Sequence, residues 1–231
     1  MVVELGVFSV TSAIMLVATG VFALWYLTSS QKPRSYLLLP AITGIAGVLY
    51  AVMALSSAGT IGQNVIVEAR YLDWVLTTPM IVAYIGLTAG ADKRLIGKAM
   101  AADAVMIAAG YVATTVPGTV RWAGFAVSML AFVYLLYLLV TKVTTVANDR
   151  IPAVQSTFRT IRDLTIVLWC VYPVLWLMGP TGFELVRVAD YHFVIASLDL
   201  TAKVGFDAIV AARAARVSTM LDDQTFSGAL N

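Results

Sequence analysis

Seven apolar runs, each about as long as a helix that crosses a bilayer core, dominate this chain. They fall at about 4–29, 36–56, 66–89, 95–114, 121–145, 155–178 and 187–212. A bilayer core offers no water, so a spanning segment must satisfy its own backbone, as an α-helix does. Composition agrees: 60% of the 231 residues are hydrophobic and only 12% are charged. The expected fold is an all-α membrane protein, a bundle of seven transmembrane helices. The first run is too long for a signal peptide and lacks a basic start. Connections such as "SSQKPR", "AGADKR", "VPGTVR" and "GPTGF" are short and rich in turn residues. No fixed-period repeat or composition shift divides the chain, so 1–217 reads as one domain and 218–231 as a short polar tail.

Of the fifteen Lys and Arg, eleven fall on one side of this seven-helix arrangement. They are Lys32, Arg34, Lys93, Arg94, Lys98, Lys142, Arg150, Arg159, Arg162, Arg213 and Arg216. Arg70, Arg121 and Arg187 fall on the other. Basic loops stay in the cytoplasm, which places the N-terminus outside and the C-terminus inside. A net charge of +2 gives no support to a nucleic-acid partner. The one histidine and one cysteine make no metal site. Cys170 reads as a small buried hydrophobe. Lipid-facing contacts leave weak sequence patterns, and the chain is compatible with a homo-oligomer surrounded by membrane lipid.

Ionisable residues inside a span cost roughly 2.5–3.5 kcal/mol each on insertion scales unless paired. Arg70, Asp73, Asp103, Asp199, Lys203 and Asp207 all stand at that depth. Asp199 and Lys203 are four apart and share a helix face. That pattern suits an ion pair. It also suits a desolvated amine that condenses with an aldehyde beside a carboxylate. In "EARYLDWVLTTPM", Arg70, Asp73 and Thr77 form one stripe, with Thr77 placed to hydrogen-bond Asp73. In "LWCVYPVLW", Trp169, Tyr172 and Trp176 share a face. With Trp74 they suit either core packing or the walls of a site for a flat ligand.

These stretches together resemble the microbial rhodopsins of the haloarchaeal branch. The likeness lies in "RYLDWVLTTP", "RDLTIVLWCVYPVLWLMGP" and "LDLTAKVGF" and extends over the seven-helix body. It implies a retinal-binding photoreceptor rather than an enzyme, with all-trans retinal held on Lys203 as a covalent protonated Schiff base. Asp73 and Asp199 would be counter-ions, with Asp73 the proton acceptor after photoisomerisation and Arg70 beside them. Tyr50, Trp74, Thr78, Asp103, Met106, Ser128, Trp169, Tyr172 and Trp176 match pocket positions, and Ala202 precedes the lysine. Phe125 and Phe132 stand where other members carry different bulky side chains.

The resemblance offers two activities. A light-driven outward proton pump of this family carries a carboxylate five residues after the proline of "TTP"; here that position is Tyr84. The pumps' acidic pair corresponds to Thr181 and Tyr191, with Glu184 and His192 nearby as substitutes. Both departures resemble sensory rhodopsins, whose long-lived state signals to a separate transducer protein. Leu164 in place of a histidine points away from the first sensory type, towards sensory rhodopsin II and the middle rhodopsins. Ala202 and Ser197 depart from second-type sensors. His192 reads as an exposed or interfacial histidine. Asp207 stands where relatives carry glycine; it reads as a neutral carboxyl, hydrogen-bonded or reaching a polar cavity, or as an alternative proton donor.

Overall fold

The computed structural model describes residues 2–29, 33–62 and 65–214. Met1, Lys32, Arg216 and the 218–231 tail lie outside the described residues. Seven helical rods follow one another: α1 (Val2–Thr28), α2 (Leu38–Ser57), α3 (Val65–Ala89), α4 (Lys93–Thr115), α5 (Thr119–Ala147), α6 (Pro152–Met178) and α7. The last runs as α-helix over Val188–Leu200, widens into a π turn at Thr201–Gly205, and continues helically to residue 214. Each rod coincides with one of the seven apolar runs, and no strand occurs among the described residues. Six rods are long and apolar enough to cross a membrane. The seventh is divided by its π turn and carries Asp199, Lys203 and Asp207.

Local chemistry sets the ends. Asp92 caps α4 by accepting a hydrogen bond from the Leu95 amide at 2.8 Å. Gly90, with φ +75°, turns the chain out of α3. Pro152 opens α6, where its missing N–H costs nothing. Arg150 Nε donates to the Ala89 carbonyl at 2.9 Å and ties the α5–α6 connection to the end of α3. Inside α6, Pro173 cannot donate to the carbonyl of Trp169, and the helix breaks at Cys170. There the cysteine points outward. It is exposed, not buried as its apolar context suggested.

Neighbouring rods pack in chain order, α3 also meets α6, and α7 closes the ring against α1. Small residues allow close approach. A Cβ at Gly124 would lie 3.0 Å from the Ala113 amide nitrogen and 3.1 Å from the Ala109 carbonyl, so α4 and α5 touch through backbone there. Ser12 Oγ donates to the Gly47 carbonyl at 2.8 Å between α1 and α2. Two apolar clusters result. The smaller surrounds Phe8, Tyr50, Met53 and Ala196; the larger surrounds Ile85, Leu135, Phe158 and Phe206. Along α3 and α7, Asp73 and Lys203 fall between them.

Candidate functional site

Lys203 sits in the π turn of α7, a distortion that recurs at functional positions in helices. It is 1% exposed. Its Nζ donates to Asp73 Oδ2 on α3 at 2.5 Å. Asp73 is fully buried. Thr77, one turn on, donates from Oγ1 to the Asp73 carbonyl at 2.8 Å and to Oδ1 at 3.2 Å. The stripe anticipated in α3 therefore forms, and its carboxylate faces across to α7. A buried pair of this kind persists only with such supporting bonds, because each ion has surrendered its hydration.

Asp199, on Lys203's own helix, is bound elsewhere. Tyr50 OH donates to it at 2.6 Å, Tyr172 OH at 2.5 Å, and Trp74 Nε1 at 3.2 and 3.3 Å. The i, i+4 spacing thus brings Asp199 near the lysine, while the direct ion pair is with Asp73. Three helices, α2, α3 and α6, each contribute a donor to hold the second carboxylate. Arg70 lies in the same layer, 4% exposed. Its guanidinium is 5.9 Å from the Phe8 ring centre and 6.0 Å from that of Tyr191. Its Nε and Nη2 have no hydrogen-bond partner among the described residues. It does not clamp the two carboxylates directly.

A cavity opens beside the lysine. Trp74, Thr78, Met106, Phe125, Ser128, Phe132, Trp169, Tyr172, Trp176, Asp199, Ala202 and Lys203 all line it, and each was singled out from sequence. Tyr50 and Asp103 do not. Tyr50 stands behind Asp199, and Asp103 stands behind Thr78, whose Oγ1 donates to its Oδ2 at 2.7 Å. Phe125 stacks on Trp176, with ring centres 4.5 Å apart and planes 18° apart. Trp74 meets Tyr172 edge-on at 5.4 Å. The result is a slot walled by flat rings with one buried amine at its side. Such a slot fits a long, flat, apolar aldehyde: ring faces stack on it and the amine can join its carbonyl carbon.

A description of bacteriorhodopsin-like proteins fits residues 4–217 of this sequence. The chain belongs to the bacteriorhodopsin-like family. Its resemblance to haloarchaeal sensory rhodopsins is direct. Sensory rhodopsin III of Haloarcula marismortui is 39% identical over 207 residues, covering 88% of this chain and 89% of that protein. Sensory rhodopsin-2 of Natronomonas pharaonis is 40% identical over 195 residues, covering 83% and 81%. The solved structure of thermophilic rhodopsin from Rubrobacter xylanophilus superposes with a TM-score of 0.84 at 38% identity, covering 91% and 95%. This bacteriorhodopsin-like chain is accordingly a multi-pass membrane protein.

Other residues line the slot that the sequence did not mark as part of it. Tyr71, Gly110, Met129, Tyr191 and Ile195 line the slot as well. Tyr71 was legible in hindsight, one residue after Arg70; its hydroxyl bonds Thr114 at 2.7 Å, and Thr114 also accepts from Trp176 Nε1 at 2.9 Å. His192 is buried in the protein, not exposed. Its ring lies 5.2 Å from Phe8, and its Nδ1 is 3.5 Å from Glu4 Oε1 on α1. Of the other residues near the acidic-pair positions, Glu184 is exposed in the α6–α7 loop with φ 56°.

Proposed function

We propose that this protein is a photoreceptor that binds all-trans retinal covalently at Lys203 and signals to a separate transducer protein. The observation that carries the proposal is a buried Lys203 Nζ, paired with Asp73, beside a slot of aromatic rings. The names of the relatives, sensory rhodopsins, agree with it. Retinal joined to Nζ as a protonated Schiff base supplies visible absorption and a light-driven change of shape.

The side chains do the rest. Trp74, Tyr172 and Trp176 hold the flat chain and exclude water. Asp73 stabilises the cation on Nζ in the dark and takes its proton through Oδ2 after light. Thr77 keeps that carboxylate aimed. Asp199, fixed by Tyr50, Tyr172 and Trp74, remains the second negative group. Loss of the Lys203–Asp73 charge pair then biases the packing of α3 against α7, which is the change a partner can read.

The seven-helix, retinal-binding unit spans 1–217, with 218–231 a polar tail. The basic loops favour an extracellular N-terminus and a cytoplasmic C-terminus. Tyr84 in place of a carboxylate favours sensing over pumping, because an ordinary phenol, with a pKa of about 10, is a poor donor. The test is to illuminate cells expressing this chain alone and record external pH with and without a protonophore. A photocycle far longer than milliseconds with slight acidification is expected. Acidification as large as that from a dedicated pump at equal expression overturns the sensor assignment.

A further inference from the structure

Asp207 has no part in the mechanism above, yet it is an ionisable group buried without a partner among the described residues. It is fully buried, and neither carboxyl oxygen has a hydrogen-bond partner among the described residues. The larger apolar cluster surrounds it. Phe206 and Val210 flank it on α7, and the Tyr84 ring meets Phe206 edge-on at 5.8 Å. No described protein group supplies the hydrogen bond expected from sequence. A bare carboxylate in such surroundings carries a large desolvation cost, whereas the neutral acid carries a modest one.

Its position relative to the lysine is specific. Side chains on a helix lean towards its N-terminus, so Lys203 reaches back to the Asp73 layer. Asp207 follows four residues later, about 6 Å further along the axis. Asp73 and Asp207 therefore lie on opposite sides of Nζ. The π turn Thr201–Gly205 occupies the interval, where its wider ring loosens the backbone ladder.

Resting on the retinal assignment, we infer that Asp207 is the internal proton donor to the nitrogen on Lys203, doing from α7 the task that Tyr84 cannot do from α3. Once Asp73 has taken the nitrogen's proton, the O–H bond of Asp207 breaks and an N–H bond forms at Nζ. Asp207 is left as a carboxylate and regains a proton from water on its own side; Asp73 releases one on the other. One proton crosses per turnover. The transfer from Asp207 sets how long the nitrogen stays deprotonated, and reloading Asp207 through the apolar cluster is a later step that limits the return to the starting state.

The test uses the retinal-loaded protein. Flash spectroscopy follows reprotonation of the nitrogen, and time-resolved infrared spectroscopy follows protonated carboxyl groups. Asp207→Asn slows reprotonation by about 100-fold, within the range ascribed to a positioned acid. Azide, a small diffusible proton carrier, restores the rate in that variant, which a purely structural defect would not allow. In the unaltered protein a carboxyl C=O band disappears in step with reprotonation, and Asp207→Glu shifts that band while keeping the rate within a few-fold. An unchanged rate in Asp207→Asn overturns the inference. If that variant forms no pigment, the glutamate variant decides, and an unshifted band overturns it. A pigment whose recovery ignores Asp207 defeats this inference alone; an unaltered chain that forms no pigment with retinal defeats the retinal assignment as well.

Discussion

On the Arg70 side of Lys203, ionisable groups from three helices gather: half-buried Glu4 on α1, Arg70 and Asp73 on α3, and His192 and Asp199 on α7, with Tyr50 of α2 and Tyr172 of α6 donating to Asp199. On the other side, the larger apolar cluster holds Asp207 with neither oxygen bonded among the described residues. Both regions lie inside the same apolar bundle, so hydrophobicity alone does not separate them. What differs is how far the carboxyl groups are satisfied. A charge can be kept in a low-dielectric interior when several groups converge on it, as they do on Asp199. Where none converge, a carboxyl is tolerable chiefly as a neutral acid. Under the proposed mechanism, the first region keeps Asp199 charged while Asp73 takes a proton, and the second releases a proton from Asp207 once per cycle.

The largest expected effect breaks the charge-holding side at its centre. Asp73→Asn removes the acceptor on Nζ. In the retinal-loaded protein, flash spectroscopy should show light-driven proton loss from the nitrogen slowed by more than about 100-fold. Retention of the unaltered rate would show that Asp199 serves as acceptor. Next comes the slowing caused by Asp207→Asn, the matching break on the other side.

Smaller effects sharpen the contrast. Tyr172→Phe leaves a buried carboxylate short of one donor and should cost about 1–3 kcal/mol, read as faster thermal bleaching. Tyr50→Phe should act alike, and the pair should be non-additive because both donate to Asp199. Thr78→Val removes the one bond to Asp103 and should cost about 1 kcal/mol in the same assay. Cys170→Ser, on the outer face of the α6 break, should change stability by no more than about 0.5 kcal/mol.

The sequence made the seven rods legible because bilayer thickness imposes a length that few other folds demand. Lys203, Asp73 and Thr77 were legible for a related reason: polar groups at membrane depth need partners, and helical spacing limits which ones. Cys170 was misread because a helix apolar all round gives no signal for which face points inward. Proline placed the break in α6 but not the direction of the side chain beside it. The burial of His192 was not legible because its neighbours, Glu4 and Phe8, come from a helix more than 180 residues away in sequence. The π turn at Lys203 has no local signature, so the direct pairing of Lys203 with Asp73, and not with Asp199 on its own helix, emerged only in three dimensions.

The central claim is that Lys203 Nζ is the attachment point of retinal. The most direct measurement is an absorption spectrum of the purified chain supplied with all-trans retinal, beside Lys203→Ala treated identically. The account predicts a visible band in the unaltered protein, with the chromophore retained through acid denaturation, and neither property in Lys203→Ala. A colourless unaltered protein, or a lysine variant that keeps the same band and the same covalent retention, would contradict it.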